Sequence, residues 1–234
     1  MKDKIDYSKF RAFWKSVLYS DYFTNETNAK KDGNWSFGLL RSGCYRIQHT
    51  IDYLNMRHVS KKNLAGEAFD FYEIVECISI ILECSVGIYS CFREDPKTFL
   101  GTKRSFIRSN TSKASDYEFF KFVRSAVIAH PVDTTRHQLV TRVPGEFYPS
   151  AFWSTSYIDG SRRPERYVVL TTDYDDNQIE NFFNEEKNEK LASSFPQTSK
   201  TYCLFLNEFF DFAQEIVDSF STLLAIAETK FGCD

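Results

Sequence analysis

The sequence predicts a mainly α-helical protein, an antiparallel helical bundle that carries one small antiparallel β insertion. Three observations lead there. Apolar residues recur at alternating steps of three and four along three long stretches, the signature of helices with one buried seam. Only 9 Gly and 6 Pro occur in 234 residues, too few for a turn-rich all-β fold. In one region alone, residues 137–173, the pattern changes to alternation between turn signals.

Taken in order, residues 7–22 read as a first helix, with Ser8 as N-cap and Phe10, Phe13, Trp14, Val17 and Leu18 on one side. Thr24 to Asn34 is rich in Asn and Lys and reads as a loop. From Trp35 to about His58, Leu40, Cys44, Ile47, Ile51 and Leu54 form the seam of a second helix. The third helix, Leu64 to Phe92, steps through Ile74, Cys77, Ile81, Cys84, Ile88 and Cys91, with Val75, Ile78 and Leu82 widening the stripe. So wide a stripe implies more than one neighbour. Glu67, Asp70, Glu73, Glu76 and Glu83 interrupt this run, which therefore reads as a core helix and not a membrane span.

After Pro96 a loop carries Lys97, Lys103, Arg104, Arg108 and Lys113 with no acid before Asp116. Such a run is a solvated face in the first instance, or a phosphate-contacting loop if the ligand is a nucleic acid. A fourth helix starts at Ser115, a suitable N-cap followed by Asp116 and Glu118. It should end or turn at His130, because Pro131 disfavours helical geometry in the residue before it.

Beyond it, Gln138–Val143, Phe147–Ser156 and Tyr167–Thr172 are β-prone, separated by Pro144-Gly145 and Asp159-Gly160. They predict a sheet of two or three strands, its second turn decorated by Arg162, Arg163 and Arg166. A polar fifth helix follows from Asp175 or Asp176 to Leu191, then a break over Ser193–Ser199. The last helix, from Lys200 to about Phe231, repeats Leu206, Phe210, Ala213, Val217, Phe220, Leu224 and Ala227. The whole, residues 1–234, reads as one domain.

The net charge of −3 sets up no global basic field, so any nucleic-acid contact must be a local patch. The cysteines Cys44, Cys77, Cys84, Cys91, Cys203 and Cys233 form no Cys-x-x-Cys, and most lie on helical seams. Residues seven apart on a helix stand about 10 Å apart along its axis, too far to share one ion. Reduced core residues of a cytoplasmic protein are the expectation. The first residues, Met-Lys-Asp-Lys-Ile-Asp, contain no apolar signal core, and no membrane association is expected. Phosphate-cradling Gly-rich loops, Gly-x-Ser-x-Gly and His-Glu-x-x-His are all absent from the sequence.

One stretch brings chemistry together. Within the apolar run from Glu118 to His137 lie one permanent cation, Arg124, one base that titrates near neutrality, His130, and the hydroxyl of Ser125. Cleavage of RNA through its own 2′-hydroxyl requires proton transfer, which a His supplies, and charge stabilisation at phosphorus, which an Arg supplies. Structural roles compete: Arg124 paired with Asp116, Glu73 or Glu76, and His130 capping the helix. A metal reading uses His130, Asp133 and His137, spaced i, i+3 and i+7. On a straight α-helix Arg124 and His130 would be separated by about 240°, so a break is needed to bring them together.

The Arg124 to His130 stretch, with Ala129 before the His and Pro131 after it, resembles the Arg-x(4–6)-His signature of the HEPN family of all-helical domains. The resemblance implies a HEPN-like bundle and a metal-independent endoribonuclease without cofactor. It implies Arg124 and His130 as the catalytic pair and Ser125 as a polar auxiliary. Most active members carry Asn, Asp or His at the auxiliary place. It further implies RNA as substrate, a homodimer whose two motifs face one cleft, and a toxin or anti-phage setting with an antitoxin or defence partner protein. Lys103, Arg104, Arg108 and Lys113 would be its RNA contacts. The alternatives are a catalytically silent HEPN-like module that binds RNA, nucleotide or a protein partner, and a helical scaffold that interacts through Arg162 and Arg163.

Overall fold

The computed structural model describes residues 4–19, 30–31, 34–57, 64–95, 100, 105–110, 114–129, 152–157, 166–172 and 200–231. These residues are mostly helical: α1 (Ser8–Leu18), α2 (Ser36–Met56), α3 (Leu64–Cys91), α4 (Asp116–Arg124), α5 (Leu206–Asp218) and α6 (Phe220–Phe231). A two-stranded ribbon pairs β1 (Lys30–Lys31) with β2 (Asn34–Trp35). A three-stranded antiparallel sheet is ordered β3 (Phe152–Tyr157), β4 (Arg166–Thr172), β5 (Lys200–Phe205). The expected strand at 138–143 and helix at 175–191 lie outside the described residues.

By backbone contacts the chain divides into two compact units. One comprises Met1–His58, Cys77–Leu100 and Phe210–Asp234. In it the predicted seam of α2 is buried throughout: Leu40, Cys44, Ile47, Ile51 and Leu54. The ends of α1 fix its direction relative to α2. Tyr7 Oη donates to Asp52 Oδ1 at 2.7 Å, and Trp14 meets Tyr45 edge-on at 5.6 Å, so the two helices run antiparallel. Against α5 the same helix runs parallel, since the N–H of Asp6 donates to Gln214 Oε1 and Lys9 pairs with Asp218. Phe10 and Phe13 stack on Phe220 at 5.0 and 5.1 Å, and Phe13 also meets Phe92. Tyr89 Oη donates to the carbonyl of Ser219, the residue at which α5 gives way to α6. Gly43 lets α2 approach α3 closely: a Cβ there would lie 3.2 Å from Ile88 Cγ1.

The second unit comprises Val59–Glu76 and Gly101–Phe209 and contains α4 and the three-stranded sheet. Its core is aromatic. Phe209 packs against Phe71 and Phe106 at 5.1 and 5.0 Å, and Phe106 against Phe119 at 5.1 Å. Edge-on and tilted ring pairs of this kind are favoured by the quadrupoles of the π systems.

Four expectations are corrected. The first helix begins after Tyr7, so Ser8 is inside it; the Ser8 N–H is held instead by Asp6 Oδ1 at 3.0 Å. The 24–34 loop contains part of a ribbon, whose strands are joined in sequence by Asp32-Gly33, a pair suited to two-residue hairpin turns. Lys200–Phe205, assigned to the last helix, is a strand, because Thr201, Tyr202, Cys203 and Phe205 favour pairing with β4. The remainder of that helix is two helices meeting at Ser219, although the buried seam continues across the junction through Val217 and Phe220.

Among the described residues one stretch, Phe69–Cys91 of α3, is long and apolar enough to cross a membrane by length and composition. Its Ile74, Val75, Ile78, Ile81, Leu82 and Ile88 are buried within the protein, as in a core helix.

Candidate active site

The segment that carries Arg124 is built on a capped helix. Ser115 is the N-cap of α4: its Oγ accepts from the Glu118 N–H at 3.3 Å, and Glu118 Oε2 accepts from the Ser115 N–H at 3.0 Å. The reciprocal pair satisfies two amides that the helix itself leaves open. One face of α4 is buried through Phe119, Phe120, Phe122 and Val123, so the helix cannot rotate without uncovering four large side chains.

The loop before it is held by two buried carboxylates. Asp116, expected in the first turn of the helix, is buried and accepts the N–H groups of Ser105 and Phe106 at 2.6 and 3.2 Å. Glu208, in the first turn of α5, is 3% exposed. Its Oε1 accepts from the Arg108 N–H and Nε at 2.9 and 3.1 Å, and its Oε2 from the Ser109 N–H and Oγ at 2.9 and 2.6 Å. Ser109 Oγ in turn accepts the Phe205 N–H, the last of β5. Asn110 closes the loop by donating to the Ala114 carbonyl.

Arg108 is therefore committed. Besides Glu208 it donates to Asn207 Oδ1 at 2.8 Å, and its guanidinium lies 3.9 Å above the Phe205 ring. Its charge is offset by the Glu208 carboxylate, which makes it a poorer phosphate contact than its place in a basic run suggested. Sequence reasoning passed over Glu208, whose only signal was an acid just after a strand and beside the apolar Phe209 and Phe210.

Past Arg124 the helix changes geometry. Ser125–Ala129 forms a π-helical turn, and the Ser125 N–H is shared between the carbonyls of Lys121 and Phe122. The predicted disturbance before Pro131 thus starts five residues earlier than His130, directly after Arg124. Single π turns inside helices are rare and concentrate at functional sites. Arg124 is half-buried, while Ser125 is 4% exposed and its Oγ has no hydrogen-bond partner among the described residues. A buried hydroxyl without a partner costs roughly 1–3 kcal/mol, so it calls for an explanation.

Arg124 and Ser125 are consecutive residues at the junction between α4 and the π turn. His130, Lys103, Arg104, Lys113, Asp133, His137, Arg162 and Arg163 lie outside the described residues. Among the described residues no group of three His, Cys, Asp or Glu side chains is placed to hold a metal ion. No family model matches this chain. No curated protein or solved structure gives a significant match either.

Proposed function

We propose that this protein is a HEPN-like, metal-independent endoribonuclease acting as a homodimer, of the kind found as a bacterial toxin or anti-phage effector with an antitoxin or defence partner. His130 serves as the proton-transferring base and Arg124 stabilises the charge that develops on the phosphorus centre. Ser125 is the polar auxiliary beside them. Lys103, Arg104 and Lys113 supply phosphate contacts, with Arg108 contributing less because Glu208 neutralises it.

The observation that carries this reading is the Ser125 hydroxyl, buried in the π turn after Arg124 with no hydrogen-bond partner among the described residues. An unsatisfied donor at that point is accounted for if a substrate oxygen or the facing motif of a second protomer completes it. The anchored 105–110 loop and the capped α4 agree with this, since catalytic side chains need a support that does not yield. A second reading, a silent HEPN-like module that binds RNA, nucleotide or a protein partner, draws on the same residue. Most active members carry Asn, Asp or His where Ser125 stands.

Expression in bacteria distinguishes the two. The nuclease arrests growth and degrades cellular RNA, and Arg124→Ala or His130→Ala relieves both without loss of soluble protein. A silent module leaves growth and RNA unchanged for wild type and variants alike.

A further inference from the structure

Residues 5–7 form a strap ahead of α1, and two helices hold it by its main chain. Asn55, in the last turn of α2, accepts from the Ile5 N–H through Oδ1 at 2.8 Å and donates through Nδ2 to the Ile5 carbonyl at 2.9 Å. Gln214 of α5 does the same for the next residue: Oε1 accepts from the Asp6 N–H at 2.8 Å, and Nε2 donates to the Asp6 carbonyl at 2.7 Å. Extended backbone turns the N–H and C=O of one residue to the same side and those of the next residue to the other. The strap therefore lies between two carboxamides as a strand lies between two neighbours.

Side chains are selected at the alternate positions. Ile5 is 3% exposed, and Tyr7 Oη donates to Asp52 Oδ1 at 2.7 Å. Asp6 between them is exposed and is held through its main chain. Main-chain bonds that supply affinity, with seats for alternate side chains that supply specificity, are the chemistry by which proteins recognise extended peptides. Every extended segment presents the groups that Asn55 and Gln214 bind. The strap is also releasable, since its hydrogen bonds lie at exposed or half-buried positions and the entropy of ordering the segment opposes them.

We infer that Asn55, Asp52 and Gln214 line a peptide-docking groove, filled here by residues 5–7 and open, once they lift, to an extended segment of a partner protein with the pattern aliphatic-x-Tyr. The seated strap defines that pattern. The inference goes beyond RNA cleavage at Arg124 and His130 and does not depend on it.

The test uses the full chain carrying Ile5→Asp, which puts a charge in the apolar seat and leaves every groove residue in place. Fluorescence polarisation follows a labelled peptide with the sequence of residues 3–8, Asp-Lys-Ile-Asp-Tyr-Ser. The variant binds it, and wild type, whose tethered strap competes, binds it about tenfold more weakly or less. Adding Asn55→Leu or Gln214→Leu lowers the variant's affinity about tenfold, since each removes two hydrogen bonds. Phosphorylation of the peptide's Tyr abolishes binding, because the phosphate would meet the Asp52 carboxylate. Absence of binding by Ile5→Asp shown to be folded by circular dichroism, or affinity unchanged by both carboxamide replacements, would overturn the inference. Wild type provides a second measurement that needs no variant: excess unlabelled peptide displaces the strap and speeds hydrogen exchange of the Ile5 and Asp6 amides, and unchanged exchange would overturn the inference as well. A heterodimer of wild type with Ile5→Asp in sedimentation would overturn the choice of occupant, because a second copy would then fill the groove.

Discussion

Replacing Glu208 by Ala removes the group on which the 105–110 loop is folded. Its two oxygens accept four hydrogen bonds, two from backbone amides and two from the Arg108 and Ser109 side chains, at 3% exposure. Hydrogen bonds to a charged group contribute about 1.5–3 kcal/mol each and do not add, and a buried amide left without an acceptor costs about 1–3 kcal/mol. With partial rehydration of the loop, a loss of about 3–5 kcal/mol follows, the range for breaking a buried charged network.

The comparison with Arg108→Ala decides the mechanism. That change removes the Nε contact, the Asn207 contact and the stack on Phe205, but leaves both backbone amides on the carboxylate. The Arg108 side chain is 38% exposed, so its ion pair is screened and is worth about 1 kcal/mol or less. Urea denaturation of both variants, followed by circular dichroism, gives the two losses. Glu208→Ala should shift the midpoint several times further than Arg108→Ala. Equal shifts would refute the reasoning, because they would mean that the carboxylate acts through the salt bridge and not through the loop's backbone.

Four further outcomes are expected. Ser115→Ala removes the N-cap of α4 and costs about 1 kcal/mol of stability in the same denaturation assay; no change would mean that the capping box contributes nothing. Gly43→Leu forces a side chain against Ile88 and costs about 1–3 kcal/mol by overpacking, read as a lowered melting temperature. Burial pushes the Cys44 thiol well above its ordinary 9.0, so the fold favours the protonated form. Stability is then fully present below that value and declines as pH rises past it, as more thiolate forms in the unfolded chain. Alkylation with iodoacetamide at mildly alkaline pH, read by mass spectrometry, should label exposed Cys203 well before Cys44, and equal rates would contradict the burial. Ser125→Ala should leave stability unchanged or slightly raised, because it deletes an unsatisfied hydroxyl, while RNA cleavage falls; a marked loss of stability would mean that the hydroxyl is bonded after all.

Periodicity made the helices legible. The seam of α2 and much of that of α3 are buried where the spacing put them, because a 3.6-residue period leaves few choices of inward face. The Ser115 cap was legible for a similar reason, being a local interaction within four residues. Strand β5 was not, because the helical seam beginning at Leu206 was extrapolated backwards over a short β-prone run whose partner lies about thirty residues earlier. Glu208 was hidden by distance: its partners are about a hundred residues away in sequence, and no local pattern reports a contact of that range. The π turn sits near the Pro131 signal but starts beside Arg124, and a proline marks a disturbance without fixing its geometry.

Cleavage of a mixed RNA pool by the purified protein in EDTA, wild type beside His130→Ala with both confirmed folded and dimeric, tests the proposed chemistry most directly. The account predicts fragments from wild type alone, ending in 2′,3′-cyclic phosphates, because the neighbouring hydroxyl is the nucleophile and His130 moves its proton. Intact RNA with both proteins across several RNA classes, or equal cleavage by both, would contradict it.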